Sequence, residues 1–297
     1  MMPETFRKST QYLSCFALGV LAALGYVRLL RYFDDEKNRT EKVRAKGATI
    51  TLAGGGPGSP DLLTLAAYAA LKNADVVISD LIAPVELRAV APPHAEFYVA
   101  EKVPGKADSA QSSVNGIGLE ALRRGKHVVR LKVGDPYLYG RGGEEVEFYR
   151  AAGFEPKVIP GVCTALAAPA AAGIPVTHRG AANQVLFSTG QGRGGEFPDL
   201  PPFSSSRTLV LLMAVGRIPV LFQDLCTERG YPEDTPVAVI ERATHTDEKI
   251  TRTTLHRLAD EAKGATSPAT IVIGSVVTAL NQSPLLRFAT PTGTETL

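Results

Sequence analysis

The chain has 297 residues, enough for a large hydrophobic core, and at about 150 residues per domain its length predicts two domains or one long α/β unit. Its 32 basic and 30 acidic residues leave a formal net charge of +2, which excludes the strong positive field typical of nucleic-acid-binding proteins. The three cysteines show no Cys-x-x-Cys spacing, so neither a disulfide framework nor a zinc site is indicated, and we expect a reducing compartment such as the cytoplasm.

Residues 1–48 differ in composition from the rest of the chain. An uncharged, mostly apolar stretch covers residues 12–27, and a charged connector covers residues 34–46. The stretch is slightly short for a membrane-spanning helix, which needs about 20 apolar residues, although its flanking arginines can extend to the lipid head groups. We therefore expect either a membrane anchor or a packed extension. No Ala-x-Ala cleavage pattern supports a secretory signal.

From Thr49 onward, short apolar runs alternate with helical patterns, which predicts an α/β fold with largely parallel strands. The predicted strands cover residues 49–53, 76–79, 96–99, 127–132, 157–159, 184–188, 208–213, 237–241 and 270–274. Amphipathic patterns predict helices over residues 62–72 and 112–124.

Two breaks predict a domain boundary in the region 160–180. A Pro-Gly pair precedes an alanine-rich helical segment there, and a Gly-Ile-Pro sequence follows that segment. The resulting prediction is an N-terminal domain over 49–175 and a C-terminal domain over 176–280. The tail 281–297 has few apolar residues and no periodicity, so we expect it to be unstructured.

A glycine-rich loop, AGGGPGSPD, covers residues 53–61 between a predicted strand and a predicted helix. Such a loop allows a ligand to approach the backbone closely, and Asp80 lies where the ribose-binding acid of a dinucleotide site is found. The third glycine of the dinucleotide pattern is missing, however, and Pro57 removes one backbone donor. The loop therefore argues against a dinucleotide, and taken alone it is also consistent with a turn that binds nothing.

A second glycine-rich loop lies within RLKVGDPYLYGRGGEE, residues 130–145, again between a strand and a helix. Two such strand ends in one parallel sheet line a single crevice at its carboxyl edge. Gly134 and Asp135 are suited to present their backbone to the amino-acid part of a ligand, and the following glycines let Arg141 reach the cleft. The alternative is an ordinary turn with acidic residues at a favourable helix N-terminus.

Four segments in order carry a resemblance to a known family. They are GGGPGSPDLLTL, RLKVGDPYLYGRGGEE, VIPGVCTALAAPAAAGIPVTHR and SPATIVIG. Over roughly residues 49–280 the chain resembles the uroporphyrinogen-III C-methyltransferases of the tetrapyrrole methylase family. The segment EKVPGKADSAQ is similar to fungal siroheme-pathway members, in which the methylase domain often follows another domain. We expect that other domain to be absent, because 48 residues cannot hold it.

The resemblance implies two α/β domains of the tetrapyrrole methylase type, with the active site in the cleft between them. It implies a homodimeric enzyme that uses S-adenosylmethionine to methylate uroporphyrinogen III twice, giving precorrin-2 in siroheme biosynthesis. The donor contacts that it implies are Pro57, Val133, Gly134, Asp135, Leu138, Cys163, Thr164, Met213, Ala243 and Ala269. The implied proton acceptor is Asp80 and the implied donor is Lys102. The residues implied to bind or act on the tetrapyrrole are Arg141, Glu144 and Arg179.

Four positions depart from the residues common in the family. Val133 and Ala243 replace a glycine, and Cys163 replaces a threonine; a backbone contact would tolerate all three changes. Leu81 replaces a basic residue and so removes a charge that would meet a substrate carboxylate, which weakens the expected substrate affinity. We expect Cys163 to be a packed residue and not a nucleophile, since no histidine and acid lie near it in sequence.

The chemistry suits these residues. Methyl transfer from a sulfonium is an in-line displacement that depends on alignment and needs no metal. Arginine forks at Arg141 and Arg179 suit a macrocycle rich in carboxylates, and Asp80 suits the proton that leaves after attack. The alternatives are a precorrin methylase or diphthine synthase, a membrane-tethered tetrapyrrole-binding module without turnover, and an NAD-dependent dehydrogenase.

Overall fold

The computed structural model describes residues 47–80, 85–100, 107–192 and 195–280. The apolar segment 12–27, the tail 281–297, Leu81 and Lys102 therefore lie outside the described residues. Within the described ranges, none of the helices combines the length and the apolar character that crossing a bilayer requires.

The N-terminal half forms a five-stranded sheet in the order β3-β2-β4-β1-β5. Its strands are β1 (Thr49–Gly54), β2 (Val76–Asp80), β3 (Glu96–Ala100), β4 (His127–Lys132) and β5 (Lys157–Ile159). All neighbouring strands run parallel, as predicted. The register pairs Gly54 with Lys132, so the two glycine-rich loops leave the sheet side by side.

Helices cover both faces of this sheet. Helix α1 (Leu65–Lys72) begins after Thr64, whose Oγ1 accepts a hydrogen bond from the Ala67 amide at 3.1 Å, and it packs on one face. Helices α2 (Ala107–Arg123) and α3 (Gly142–Ala151) pack on the other face. The loops after β1 and β4 thus lead to opposite faces, which opens a crevice between them at the carboxyl edge.

The strand order also bears on the dehydrogenase alternative. A dinucleotide-binding sheet has the order 3-2-1-4-5-6, with its first strand beside its second. Here β4 lies between β1 and β2, so the sheet does not have the dinucleotide-binding topology. This agrees with the missing third glycine and with Pro57 in the first loop.

The C-terminal half forms a second five-stranded sheet in the order β6-β7-β10-β8-β9. Its strands are β6 (Gln184–Thr189), β7 (Arg207–Leu212), β8 (Pro236–Glu241), β9 (Lys249–Thr254) and β10 (Ala269–Ile273). Only β6 and β7 pair in parallel, so the expectation of largely parallel strands is correct for the first sheet and wrong for the second. The prediction missed β9 because its sequence, KITRTT, lacks an apolar run. An antiparallel edge strand tolerates such a polar sequence because one of its faces can meet water.

Helices cover the second sheet as well. Helix α4 (Thr164–Ala171) follows β5 in sequence but packs on the second sheet, where its alanines meet Val210 and Val272. Helices α5 (Ile218–Phe222) and α6 (Leu258–Glu261) pack on the opposite face of that sheet. Helix α4 lies in the predicted boundary region 160–180, and it connects the two sheets directly beside the crevice.

Candidate active site

The two glycine-rich loops are joined at the carboxyl edge of the first sheet. The Gly134 amide donates to the Gly56 carbonyl at 2.8 Å, and the Gly56 amide donates to the Gly134 carbonyl at 3.3 Å. A Cβ atom on Gly161, in the loop after β5, would clash with the Gly134 carbonyl oxygen. Three strand-end loops therefore meet with their backbones in contact, as expected for one crevice.

The Asp135 carboxylate stabilises the second loop and links it to the loop after β5. Its Oδ1 accepts a hydrogen bond from the Tyr137 amide at 2.8 Å, and its Oδ2 accepts one from the Gly161 amide at 3.1 Å. The neighbouring Gly134 has φ +65°, and a Cβ atom there would lie 3.1 Å from Thr164 Oγ1. The predicted donor contacts Gly134, Asp135 and Thr164 are thus brought together by the structure.

The second domain reaches the same edge. The Ser59 amide, next to the buried Pro57 loop segment, donates to Thr244 Oγ1 at 3.0 Å. The Tyr139 hydroxyl donates to the Phe187 carbonyl on β6 at 3.1 Å. Both glycine-rich loops therefore contact the second domain, so the crevice lies between the two domains.

The predicted second-domain contacts Met213, Ala243 and Ala269 lie at one edge of the second sheet. Met213 follows β7, Ala243 lies just after β8, and Ala269 begins β10. Strand β10 runs antiparallel to both β7 and β8, so its start lies beside their ends. The Met213 residue is 50% exposed, which is unusual for a core methionine. Ala243 is buried, and Leu138 and Cys163 pack against the same apolar cluster.

The environment of Cys163 agrees with a packing role. The residue is partly buried, and this burial raises the pKa of its thiol above the usual value, with smaller opposing effects from hydrogen bonds to nearby backbone amides. A raised pKa disfavours the thiolate, which is the nucleophilic form.

Backbone strain is concentrated around these positions. Among the described residues, those other than glycine with positive φ are Tyr139 (54°), Arg141 (59°), Met213 (55°), Arg242 (49°) and Thr244 (68°). Arg141 and Met213 are predicted site residues, Tyr139 follows the predicted Leu138, and Arg242 and Thr244 flank the predicted Ala243. Such conformations cost energy and tend to occur at functional sites. Their distribution here supports the location of the site.

Asp80 belongs to a charged network that sequence reasoning missed. Its carboxylate pairs with the Arg130 guanidinium, and its Oδ2 accepts a hydrogen bond from the Val133 amide at 3.4 Å. Arg130 Nε also contacts Glu145 Oε1 at 3.1 Å, and Lys132 Nζ lies 2.8 Å from the same oxygen. The available signal was the i, i+2 spacing of Arg130 and Lys132, which places both side chains on one face of β4.

The network sets the ionisation of its members. Burial alone would raise the pKa of Asp80, but the charges of Arg130 and Lys132, with hydrogen bonds from Arg130 and Val133, hold that pKa below its usual value. Burial, followed by repulsion from Arg130, lowers the pKa of Lys132, and attraction by Glu145 opposes this. Asp80 is therefore an ionised carboxylate at neutral pH.

Replacing Glu145 by glutamine is expected to destabilise the protein by about 3 kcal/mol, because two buried cations lose a shared counter-charge. Denaturant unfolding at neutral pH measures this loss. Glu144→Gln is the matched control, since Glu144 is the exposed neighbour and exposed pairs contribute only about 0 to 1 kcal/mol. Equal losses of unfolding free energy in the two variants would show that removing the Glu145 charge does not leave buried cations uncompensated.

Arg141 and Glu144 form one ion pair at the end of the second loop. Arg141 Nε and Nη2 both contact Glu144 Oε2, at 2.9 and 2.6 Å. The Arg141 side chain is 34% exposed and the Glu144 side chain 58% exposed. The pair fixes the orientation of the guanidinium at the end of the second loop, and both residues stay predicted substrate contacts.

Arg179 lies in a different part of the second domain. It is exposed and lines a pocket of about 750 Å³ formed by residues 177–183, Ser205, Ser206 and Ser275. This segment precedes β6, so it lies at the opposite edge of the second sheet from Met213. The roles of Arg179 and of Lys102, which lies outside the described residues, stay predictions from the resemblance.

A comparison with known families decides the relationship. A family model described as Tetrapyrrole (Corrin/Porphyrin) Methylases matches residues 49–259. The chain belongs to the tetrapyrrole methylases. The resemblance drawn from the four sequence motifs is thereby confirmed.

Curated relatives of this tetrapyrrole methylase include two fungal proteins. The probable uroporphyrinogen-III C-methyltransferase of Schizosaccharomyces pombe is 47% identical over 216 residues, which cover 73% of this chain and 43% of the relative. The uroporphyrinogen-III C-methyltransferase of Saccharomyces cerevisiae is 41% identical over 252 residues, 84% of this chain and 42% of the relative. The chain thus spans less than half the length of these relatives.

Solved structures show the same two-domain fold. The uroporphyrin-III C-methyl transferase of Thermus thermophilus, complexed with S-adenyl homocysteine, has a TM-score of 0.69 and 37% identity, and the match covers 78% of this chain and all of that one. A cobalt precorrin-4 methyltransferase has a TM-score of 0.66 and 30% identity, with 78% and 97% coverage. These similarities confirm the predicted two-domain α/β architecture of the tetrapyrrole methylase.

Proposed function

We propose that this tetrapyrrole methylase transfers methyl groups from S-adenosylmethionine to carbon atoms of uroporphyrinogen III, twice, giving precorrin-2 for siroheme. The observation that carries the proposal is the crevice itself, where two joined glycine-rich loops meet the second domain through Ser59 and Thr244. The names of the fungal relatives and of the complexed Thermus structure support the choice of substrate and donor.

The residues around the crevice fit this donor. Gly134 provides close backbone approach, Ala243 and Ala269 are small, and the half-exposed Met213 offers an apolar surface for an adenosine group. Within the part of the chain that the structure describes, no group of three His, Cys, Asp or Glu side chains is arranged to hold a metal ion. S-adenosylmethionine, when bound, supplies the methyl group as an electrophile.

The tetrapyrrole would be held by charge. Its carboxylates match the planar fork of Arg141, which lies on the loop beside the crevice, and Glu144 keeps that fork oriented. Arg179 is proposed as a second carboxylate contact on the resemblance alone, since it lies at the opposite edge of the second sheet from Met213.

Proton removal would fall to Asp80. As the new carbon–carbon bond forms at the pyrrole carbon, the bond between the methyl group and the donor sulfur would break and S-adenosylhomocysteine would leave. The ring skeleton would become cationic and would lose a proton to restore neutrality. Asp80 ends β2 at the crevice edge as an ionised carboxylate, so it is able to accept this proton. Lys102 is proposed as the proton donor.

Mass spectrometry of uroporphyrinogen III after incubation with the purified protein and S-adenosylmethionine tests the proposal. The expected result is the successive gain of one and two methyl masses, with no gain when the donor is omitted. Folded protein that binds S-adenosylhomocysteine but leaves uroporphyrinogen III unchanged would contradict the proposed substrate. Absence of both binding and mass gain would favour a non-catalytic role.

Deleting residues 1–44 is expected to leave methylation unchanged, because β1 begins at Thr49 and the described site residues all follow it. The values of kcat and KM for the truncated and full-length proteins measure this, with circular dichroism to verify folding. A truncated protein that is folded but inactive would show that the N-terminal segment belongs to the active unit.

The proposal also includes a homodimer, as the resemblance implies, in the cytoplasm or attached to a membrane through residues 12–27. Light scattering after size-exclusion chromatography measures the oligomeric state. Flotation with lipid vesicles, compared between the full-length and truncated proteins, measures membrane attachment.

A further inference from the structure

We propose that Arg130 is a positioning residue for methylation, which holds the Asp80 carboxylate at the crevice edge and is itself held by the buried Glu145. This inference rests on the proposed function, in which Asp80 accepts the proton. The Arg130 side chain is almost fully buried and the Glu145 side chain is fully buried, so both would act through Asp80.

The guanidinium of Arg130 is held on all three of its nitrogens. Nη2 donates to Asp80, Nε donates to Glu145 Oε1 at 3.1 Å, and Nη1 donates to the carbonyls of Ile78 and Leu131 at 3.2 and 3.0 Å. The side chain is only 3% exposed. A fork held in this way by β2, β4 and α3 cannot rotate without breaking several hydrogen bonds, so it defines where the Asp80 carboxylate lies.

The buried carboxylate of Glu145 holds the Arg130 guanidinium through a different nitrogen from the one that donates to Asp80. Glu145 lies in the first turn of α3 with its side chain fully buried, and one oxygen, Oε1, receives three donors. These donors are Arg130 Nε at 3.1 Å, Lys132 Nζ at 2.8 Å and Gln111 Nε2 at 2.8 Å. Strand β4 and helices α2 and α3 therefore all fix the position of Arg130.

Stability alone does not account for this arrangement. Buried ion pairs contribute little net stability, because the cost of removing the charges from water offsets their attraction, and apolar replacements of a whole pair are often neutral. The network here ends on Asp80, whose side chain is 26% exposed and lies beside the second loop through the Val133 amide. A chain of alternating charges from the buried Glu145 side chain to the crevice edge suits the orientation of a reacting carboxylate.

The charges that face Asp80 set the expected pH dependence. Arg130 and Lys132 project from the same face of β4, and Glu145 faces them from α3. Activity that needs an ionised Asp80 is present above its pKa and is lost as the pH falls through that value. Weakening the contact between the Arg130 guanidinium and Asp80 raises the pKa of Asp80, so the loss of activity on acidification should begin at a higher pH.

The experiment measures kcat and KM across the acid and neutral range for the wild type, Arg130→Lys, Asp80→Asn and the double variant. Lysine keeps the positive charge, but its single ammonium group is expected to contact either Asp80 or Glu145 and not both, as the guanidinium does. We expect Arg130→Lys to lower kcat by about 10-fold or more and to move the acid limb up by about 1 pH unit. The affinity for S-adenosylhomocysteine should stay close to wild type. In the double variant, Arg130→Lys should lower kcat hardly further than Asp80→Asn does alone, because both substitutions act on the Asp80 carboxylate.

Arg124→Lys is the matched control, since Arg124 also forms a forked pair, with Glu96 at 3.0 and 2.9 Å, but at the amino end of β3. It should leave kcat and the pH profile unchanged. Additive losses in the double variant, or an Arg130→Lys protein with wild-type kcat and pH profile, would overturn the inference.

A carbon-13 carboxyl titration of Asp80, assigned with Asp80→Asn, gives a readout that does not require turnover. The wild-type pKa should lie below the usual value and rise in Arg130→Lys, a result that holds whether or not uroporphyrinogen III is the substrate. A wild-type pKa at or above the usual value overturns the inference, even if Arg130→Lys fails to fold. Loss of the proposed function would appear separately, as absence of methyl mass gain in the wild type.

Discussion

Replacing Arg141 by lysine is expected to lower turnover of uroporphyrinogen III by about 100-fold, in line with the penalty for misplacing reactants. Arg141 lies at the start of α3 with φ 59°, and two of its nitrogens hold Glu144 Oε2. Glu144 thereby fixes the orientation in which the guanidinium is proposed to meet a substrate carboxylate. The compact ammonium of lysine keeps the charge but cannot reproduce that geometry.

Steady-state kinetics and calorimetry separate the possible outcomes for Arg141. Donor affinity should stay close to wild type in both Arg141→Lys and Arg141→Ala. Arg150→Lys is the matched control. Arg150 lies on the same helix and pairs with Glu155 at 2.6 Å, and both side chains are exposed. Its substitution should therefore leave turnover and stability nearly unchanged. A folded Arg141→Ala protein with wild-type turnover would contradict the role of Arg141 and leave Arg179 and Lys102 as the candidates for substrate binding.

Replacing Gly134 by phenylalanine is expected to abolish binding of S-adenosylhomocysteine. Gly134 has φ +65°, a conformation that side-chain-bearing residues adopt only with strain, and its Cβ position lies 3.1 Å from Thr164 Oγ1. A bulky side chain would therefore fill the space where the second loop, α4 and the donor are proposed to meet. The residue also exchanges two hydrogen bonds with Gly56, so the first loop should be displaced as well.

Isothermal titration calorimetry measures the loss of affinity in Gly134→Phe, and near-ultraviolet circular dichroism verifies that the variant is folded. Gly143→Ala is the control, because Gly143 lies in the next helix with ordinary φ and a Cβ atom there would meet nothing within 4 Å. The control should bind with wild-type affinity. Unchanged affinity in folded Gly134→Phe would remove Gly134 from the donor site.

Much of the first domain follows from the sequence by itself. Its strands are short apolar runs between glycine, proline and helical patterns, and all five predicted runs appear as strands of one parallel sheet. The two glycine-rich loops follow strands in the sequence, and the carboxyl ends of parallel strands share one edge. Local patterns thus sufficed to predict that both loops lie at one crevice, whereas the role of Asp80 was implied by the family resemblance and stays a prediction.

The tertiary structure alone decided which side chains meet across the fold. The Asp80, Arg130 and Glu145 side chains come from β2, β4 and α3, and Asp80 and Arg130 are 50 residues apart in the chain. Such pairing depends on strand order and on which face a helix covers, which no local pattern encodes. For the same reason, the antiparallel pairing of β9 and the packing of α4 on the second sheet could not be predicted. Pairing and burial between distant segments, and not local periodicity, determine how this site is assembled.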